Sequence, residues 1–339
     1  MVVAMILLLV SFLASAILCG VGLYVFSALL PASFLAAKFN ARSNHSVAAR
    51  QIGGLALIPA IIVSLLMFGT DLGLTIDLVL SLSGACLLLW VIGGLDDRFE
   101  LSVTTRFGSQ FVAACLVVYG LGPDFRLLPE LLPHWAEITL VLITLVAAVN
   151  VTNFMDGLDC MTVAGIGVPM AGIALLATFH LAGIESGTIA AITAGGLLGF
   201  AFYNRPPASV FLGDSGSFPL GLLAGTALLL LARETHIAVA LILPLYYVLD
   251  AGTTIILRGL AGENILKAHS KHAYQVAKRA GWSVWKVVSH VALLNIILTA
   301  CAAAIMVFDH KLSQIIFVLI AAVAVLLLLL DFRGRFRKL

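Results

Sequence analysis

The chain runs to 339 residues, of which 62% are hydrophobic and only 11% charged, with a mean hydropathy of +1.13. Soluble domains carry about 45–50% apolar and about 25% charged residues, so this composition excludes a soluble globular protein and belongs in a bilayer. The formal net charge of +2 is too small for a nucleic-acid partner, and five cysteines without a CxxC pair give neither a disulfide framework nor a zinc site.

A membrane helix needs about 20 mainly apolar residues. Apolar runs between polar breaks predict eleven spans, near 4–30, 52–69, 78–95, 107–123, 137–152, 161–181, 188–203, 217–232, 237–257, 288–308 and 313–331. The first run lacks a basic leader and a credible cleavage site, so it is expected to be a retained span. Pro123, Pro129 and Pro133 punctuate the stretch between the fourth and fifth. No repeat with a period of about 20–50 residues is present, which excludes solenoids and propellers. The expected fold is all-α, a polytopic membrane protein with a single integral membrane domain over residues 1–339.

Basic residues orient the set. With the amino terminus outside, the inner loops and tail hold 16 of the 19 Lys and Arg, leaving Arg126, Arg233 and Lys311 outside. Cytoplasmic loops carry the excess of Lys and Arg, so the amino terminus is expected outside and the carboxyl terminus inside. Ionisable groups are nearly absent from the spans, with Asp250 about two turns from the inner end of its own. A transporter more often holds such groups at mid-membrane depth. Polar residues gather in the inner loops instead, which points to a site at the membrane surface.

The first inner loop carries Arg42, His45 and Arg50 and ends in Gly53-Gly54, where a backbone can approach a ligand or a neighbouring helix closely. Ordinary positive-inside charge and helix packing account for it equally well. The second reads Gly93-Gly94-Leu95-Asp96-Asp97-Arg98-Phe99, with Arg106 and Gln110 entering the next span. Adjacent carboxylates leaving an apolar helix call for a cation, and Mg²⁺ is commonly held by one or two carboxylates plus substrate phosphates. A solvated cap balanced by Arg98 is the plainer account. In the third, Asn153, Asp156 and Asp159 recur every three residues and Asn150 extends the series back. On a helical turn these share one face, where amides and carboxylates can read a nucleobase or ribose.

The fourth loop reads Gly213-Asp214-Ser215-Gly216-Ser217 just before a span. A helix N-terminus of this kind favours anions, and Asp214 can share a metal with them, although an N-cap would use the same residues. The fifth, 258–290, contains His269-Ser270-Lys271-His272-Ala273-Tyr274-Gln275, expected to begin a short helix capped by Ser270 and ended by Gly281. His269 and His272 can grip a diphosphate with Lys267 or Lys271; contact with anionic headgroups is the plainer role. Trp282 and Trp285 fit an interfacial belt.

These loops resemble the polyprenyl-phosphate N-acetylhexosamine-1-phosphate transferase family, also called glycosyltransferase family 4. The resemblance rests on Gly-Leu-Asp96-Asp97-Arg98-Phe99, Asn153-Phe-Met-Asp156-Gly-Leu-Asp159 and Phe-Leu-Gly213-Asp214-Ser-Gly-Ser, and runs from about residue 40 to 290. It implies transfer of a sugar 1-phosphate from a UDP-N-acetylhexosamine to undecaprenyl phosphate with release of UMP, dependent on Mg²⁺ or Mn²⁺. Asp214 then resembles the metal ligand, joined by Asp97, while the Asp96–Asp97 pair orients or deprotonates the lipid phosphate. Asn150, Asn153, Asp156 and Asp159 would line the uridine side, with His269 and His272 near the diphosphate. The expected setting is a bacterial inner membrane with the site at the cytoplasmic face, among membrane lipid, and a homodimer is the assembly to test.

Departures from the family pattern narrow the reading. Asp159-Cys160 stands where the family usually has Asp-Gly, and Ala48-Ala49-Arg50 replaces a Pro-Thr-Pro run. The absence of a triple histidine argues against the peptidoglycan-precursor branch. The His-x-x-His-x-Tyr-Gln form is closer to enzymes that initiate O-antigen or capsule synthesis, often on a 6-deoxy N-acetylhexosamine. Direct attack by the lipid phosphate and a covalent aspartyl route through Asp97 both remain open. The rival function is a secondary transporter of an anionic substrate; a non-catalytic scaffold would leave five polar inner loops unexplained.

Overall fold

The computed structural model describes residues 2–31, 33–35, 49–264, 269–308 and 310–334. Thirteen α-helices account for most of them: α1 Val2–Leu29, α2 Gly53–Phe68, α3 Ile76–Phe99, α4 Val103–Leu121, α5 His134–Met155, α6 Val168–Thr178, α7 Ile184–Asn204, α8 Asp214–Glu234, α9 Ile237–Ile242, α10 Leu245–Leu260, α11 Ala273–Arg279, α12 Val284–Phe308 and α13 Lys311–Phe332. Among the described residues no strand forms, and one isolated parallel bridge ties Arg50 to Val210. The all-α expectation is met. Seven helices (α1, α3, α5, α7, α8, α12 and α13) are long and apolar enough to cross a membrane, and α2 is a shorter apolar helix.

Ten of the eleven predicted runs lie on one helical stretch each; two details of the pattern differ. The run at 161–181 begins with a π-helical turn, Val163–Gly167, before α6. The run at 237–257 is two helices broken at Leu243-Pro244, because Pro244 has no N–H to give and its ring blocks the preceding turn. Lys38, Arg42, His45, Lys267, Arg335, Arg337 and Lys338, all used in orienting the chain or reading its loops, lie outside the described residues.

The bundle is built around α7 and α8, whose apolar stretches are 78% and 89% buried, while those of α1 and α13 are 22% buried. Helix α8 packs against α2, α3, α5 and α7, and α1 lies along α7. Large apolar side chains remain exposed on the outer helices, as expected where lipid rather than water covers them.

The ends of this bundle differ. At one end Arg126 is paired with Glu137, and Arg233 with Glu185. These are two of the three basic residues assigned to the outside. At the other end the polar loops meet. There α11 is capped by His272, not Ser270 as expected, and the Gln275 side chain accepts the His272 N–H at 3.2 Å. Gly281, with φ +92°, follows the helix as predicted. Cys160 sits in the left-handed region at φ +58°, where glycine is the usual occupant.

Candidate active site

The site is organised by the N-terminus of α8. Its first N–H groups have no partner within the helix and would be left bare at the membrane edge. Asp97, from the end of α3, supplies the acceptor: its carboxylate takes the N–H of Asp214 at 2.8 Å and of Ser215 at 3.1 Å. Gly213, at φ +73°, makes the turn that brings them within reach. The chain just before that turn is tied to the start of α2, since the Gly53 and Gly54 N–H groups bond the Phe211 and Leu212 carbonyls, each at 2.9 Å. Trp90 closes the junction by donating to the Gly54 carbonyl at 3.0 Å. The first, second and fourth loops therefore meet at one point.

Asp214 itself faces α5. Asn153 donates one amide hydrogen to Asp214 Oδ1 at 2.7 Å and sits 2.9 Å from Ser217 Oγ. The Asp96 and Asp97 carboxyls border Asp214 as well. Asp96 is buried and accepts the Leu101 N–H at 2.6 Å and Arg106 Nη1 at 3.2 Å. Three carboxylates are thus gathered, with Arg106 a direct counter-ion to Asp96 at 3.2 Å. Among the described residues no group of three or more His, Cys, Asp or Glu forms a complete ion cage. Two carboxylates with positions left for phosphate oxygens still suit Mg²⁺, so the donor set of Asp97 and Asp214 fits that ion.

A cavity of about 800 Å³ opens beside this cluster. Its polar end is formed by Asn150, Asn153, Asp156, His269 and His272, and Arg106 stands on its wall. From there it runs along α4 and α5 past Phe107, Phe111, Leu142 and Ile143. Phe111 and Ile143 are exposed on the flank of the bundle. Five of the six residues expected to bind substrate therefore line one space. The sixth does not: Asp159 is 3% exposed and accepts the Ala208 N–H at 3.1 Å, so it ties the third loop to the fourth. The neighbouring Cys160 N–H bonds Asn204 Oδ1 at 2.7 Å and strengthens the same tie. Asp96, Asp97 and Asp214 are not among its lining residues, although Asn153, which bonds Asp214, is.

Several partners were named in the sequence but not assigned to the site. Asn150 is held by Gln110 at 2.7 Å, and Tyr274 packs its hydroxyl on the Phe154 carbonyl at 3.2 Å. Asp250 is fully buried and accepts the Ala273 N–H at 2.8 Å. A lone carboxylate in an apolar run was the one available signal for it.

Burial shifts two groups of the cavity toward their neutral forms. Desolvation pushes Asp156 up to about 7, with Asp97 and Asp159 adding to the rise against a hydrogen bond from Thr162. Desolvation likewise pushes His269 down to about 4, helped by His272, Arg258 and Lys271. A carboxyl raised in the folded state contributes stability below its unfolded pKa and loses it as pH rises through the folded one. Melting of metal-free protein is therefore expected to show Asp156→Asn gaining on wild type by about 3 °C or more between pH 5 and pH 8. A constant difference across that range would refute the raised Asp156 carboxyl.

Fold and site together define an all-helical membrane protein with a carboxylate-rich site and an adjoining cavity at one end of its bundle. Residues 79–232 match the model of glycosyl transferase family 4. The resemblance to polyprenyl-phosphate N-acetylhexosamine-1-phosphate transferases is borne out. A probable undecaprenyl-phosphate N-acetylglucosaminyl 1-phosphate transferase of Bacillus subtilis is 32% identical over 53% of this chain and 51% of its own length. A decaprenyl-phosphate N-acetylglucosaminephosphotransferase of Mycolicibacterium smegmatis is 31% identical over 55% of this chain and 50% of its own. A phospho-N-acetylmuramoyl-pentapeptide-transferase of Lacticaseibacillus paracasei is 28% identical over 70% and 77%. The chain thus spans about half the length of the first two relatives. The family segment contains Asp96, Asp97, Asn150, Asn153, Asp156, Asp159 and Asp214 but ends before His269 and His272, whose place in the site rests on geometry.

Proposed function

We propose that this protein transfers an N-acetylhexosamine 1-phosphate from a UDP-sugar to undecaprenyl phosphate, with release of UMP, at the cytoplasmic face of a bacterial cell membrane. One observation carries this reading: a single cavity joins a polar pocket to an apolar channel open at the bundle flank. A nucleotide sugar suits the first half and a prenyl chain the second. The relatives' names supply the prenyl phosphate and the phospho-N-acetylglucosamine group.

In this reading Asn150 and Asp156 meet the uridine, and His269 and His272 meet the diphosphate. Arg106, held by Asp96 at the mouth of the apolar run, meets the phosphate of the lipid. Asp97 and Asp214 would hold Mg²⁺ or Mn²⁺, which when bound neutralises charge between the two phosphates. A phosphate monoester has its second pKa near 6, so the attacking oxygen is largely deprotonated at neutral pH and needs no strong base. Both Asp97 oxygens already accept backbone N–H groups. That favours direct displacement over a covalent aspartyl route, which would have to pull Asp97 from the α8 terminus.

We assign the product to the start of O-antigen or a related polysaccharide, with a 6-deoxy sugar among the donors. His-x-x-His-x-Tyr-Gln in place of a triple histidine supports this over the peptidoglycan-precursor branch. Purified protein with Mg²⁺ is expected to release UMP from one of UDP-GlcNAc, UDP-GalNAc or their 6-deoxy forms only when polyprenyl phosphate is present. In that assay His269→Ala should slow turnover without loss of folded protein, while His272→Ala should slow it at some cost in stability, because His272 is buried and caps α11. No UMP with any donor, alongside substrate uptake into vesicles, would establish the transporter instead.

A further inference from the structure

Asp250 is the most deeply buried carboxylate near the site, fully excluded from solvent on α10. An ionised carboxylate in such a place is unfavourable unless its oxygens are occupied. Oδ1 accepts the Ala273 N–H at 2.8 Å and lies 3.4 Å from Thr254 Oγ1, while Oδ2 lies 3.4 Å from the Tyr246 hydroxyl. Thr254 is tied in turn to Arg333, just past the end of α13, whose Nη2 lies 3.2 Å from the same hydroxyl. These contacts seat the first turn of α11 on α10.

One further group faces the carboxylate. His272, 3% exposed, places Nδ1 at 3.7 Å from Asp250 Oδ1. That nitrogen is buried and makes no hydrogen bond of ordinary length. The ring plane is already set, because Phe154 and Tyr274 stack against the imidazole at centroid distances of 6.5 and 5.9 Å. Stacking fixes a plane but not which edge points where. The edge opposite Nδ1 carries Nε2, and His272 lines the cavity.

We infer that Asp250 is a positioning residue: it holds a proton on His272 Nδ1 and so presents Nε2 to the phosphates in the cavity. This rests on the reading that His272 meets the diphosphate. A histidine's second nitrogen commonly takes such a partner, which sets its tautomer and orientation. Asp250 touches no substrate; its effect passes through the ring.

Two measurements separate this inference from the reading beneath it. Solid-state ¹⁵N spectra of histidine-labelled protein in bilayers, with His272→Ala as the subtraction, report the ring directly. A proton on His272 Nδ1 is expected; a ring with no proton there overturns the inference whether or not the protein is active. The second is a double-mutant cycle in the UMP assay. Asp250→Asn should lower kcat about tenfold or more with little change in KM, and add nothing in a His272→Ala background. Equal losses in both backgrounds would make Asp250 merely structural. If Asp250→Asn is not recovered folded, Thr254→Val replaces it in the cycle under the same two outcomes. Full activity of His272→Ala alone would instead overturn the diphosphate role and leave the spectrum to decide the pairing.

Discussion

Asp214→Asn is expected to lower turnover by about 10²–10³-fold, with part of the loss recovered by excess Mg²⁺ or Mn²⁺. The magnitude follows from losing several kcal/mol of charge stabilisation, at roughly 1.4 kcal/mol per tenfold in rate. Asn keeps the shape of Asp and can still accept the Asn153 amide, so the 2.7 Å contact to α5 should survive. Removing one charge from the group formed by Asp96, Asp97 and Asp214 relieves repulsion, and folded yield should not fall. Asp96→Asn makes the contrast. Its partners are Arg106 and the Leu101 N–H, so apparent metal affinity should stay near wild type while the rate falls through a loosened Arg106. Metal titrations of turnover in the two variants separate the roles. Wild-type rate and metal dependence in Asp214→Asn would mean that the ion is held elsewhere.

Gly54→Ala and Gly93→Ala should damage the fold itself. A methyl at Gly54 would stand 2.2 Å from the Gly216 nitrogen, and one at Gly93 would stand 2.3 Å from the Asp214 carbonyl oxygen. Both collide with backbone at the start of α8, where Asp97 and the α2 loop are already bonded. Backbone there cannot yield without breaking those bonds. Overpacking costs about 1–3 kcal/mol even where side chains can move, so each variant should lose at least about 5 °C in melting temperature. Gly94→Ala is the control, since the nearest atom to its methyl would be Ser215 Cβ at 3.9 Å. Equal melting of Gly93→Ala and Gly94→Ala would show that α3 does not press on the α8 terminus.

The candidate site was legible in unequal parts. Asp96, Asp97 and Asp214 stood out because charge at the end of an apolar run needs a reason. Their meeting did follow, but the manner did not. Asp97 was expected as a metal ligand or nucleophile and is also the acceptor for two α8 N–H groups, across a separation of 117 residues. Asp159 shared the three-residue spacing of Asn153 and Asp156, yet α5 ends at Met155, so the series leaves the helical face before it reaches Asp159. Its carboxylate turns to Ala208 instead of the cavity. Gly53-Gly54 was open between a ligand and a helix contact, and the close neighbour is the chain at 211–216.

Residence in a bilayer and the position of nearly every helix were set by local sequence. In hydrocarbon each span must satisfy its own backbone, so a run of apolar residues is already a helix before any partner is known. Pro244, Gly213 and Gly281 act locally too, through a missing N–H or a positive φ. Which helices pack against one another was not set in that way. Buried α8 is less apolar than lipid-facing α13, with mean hydropathy 1.6 against 3.1, but that contrast names no partner helix. The same holds for Asp97 beneath α8, Asp159 on Ala208 and Asp250 beside His272. Each is a polar group whose partner lies on another helix or loop, and only packing brings the two together.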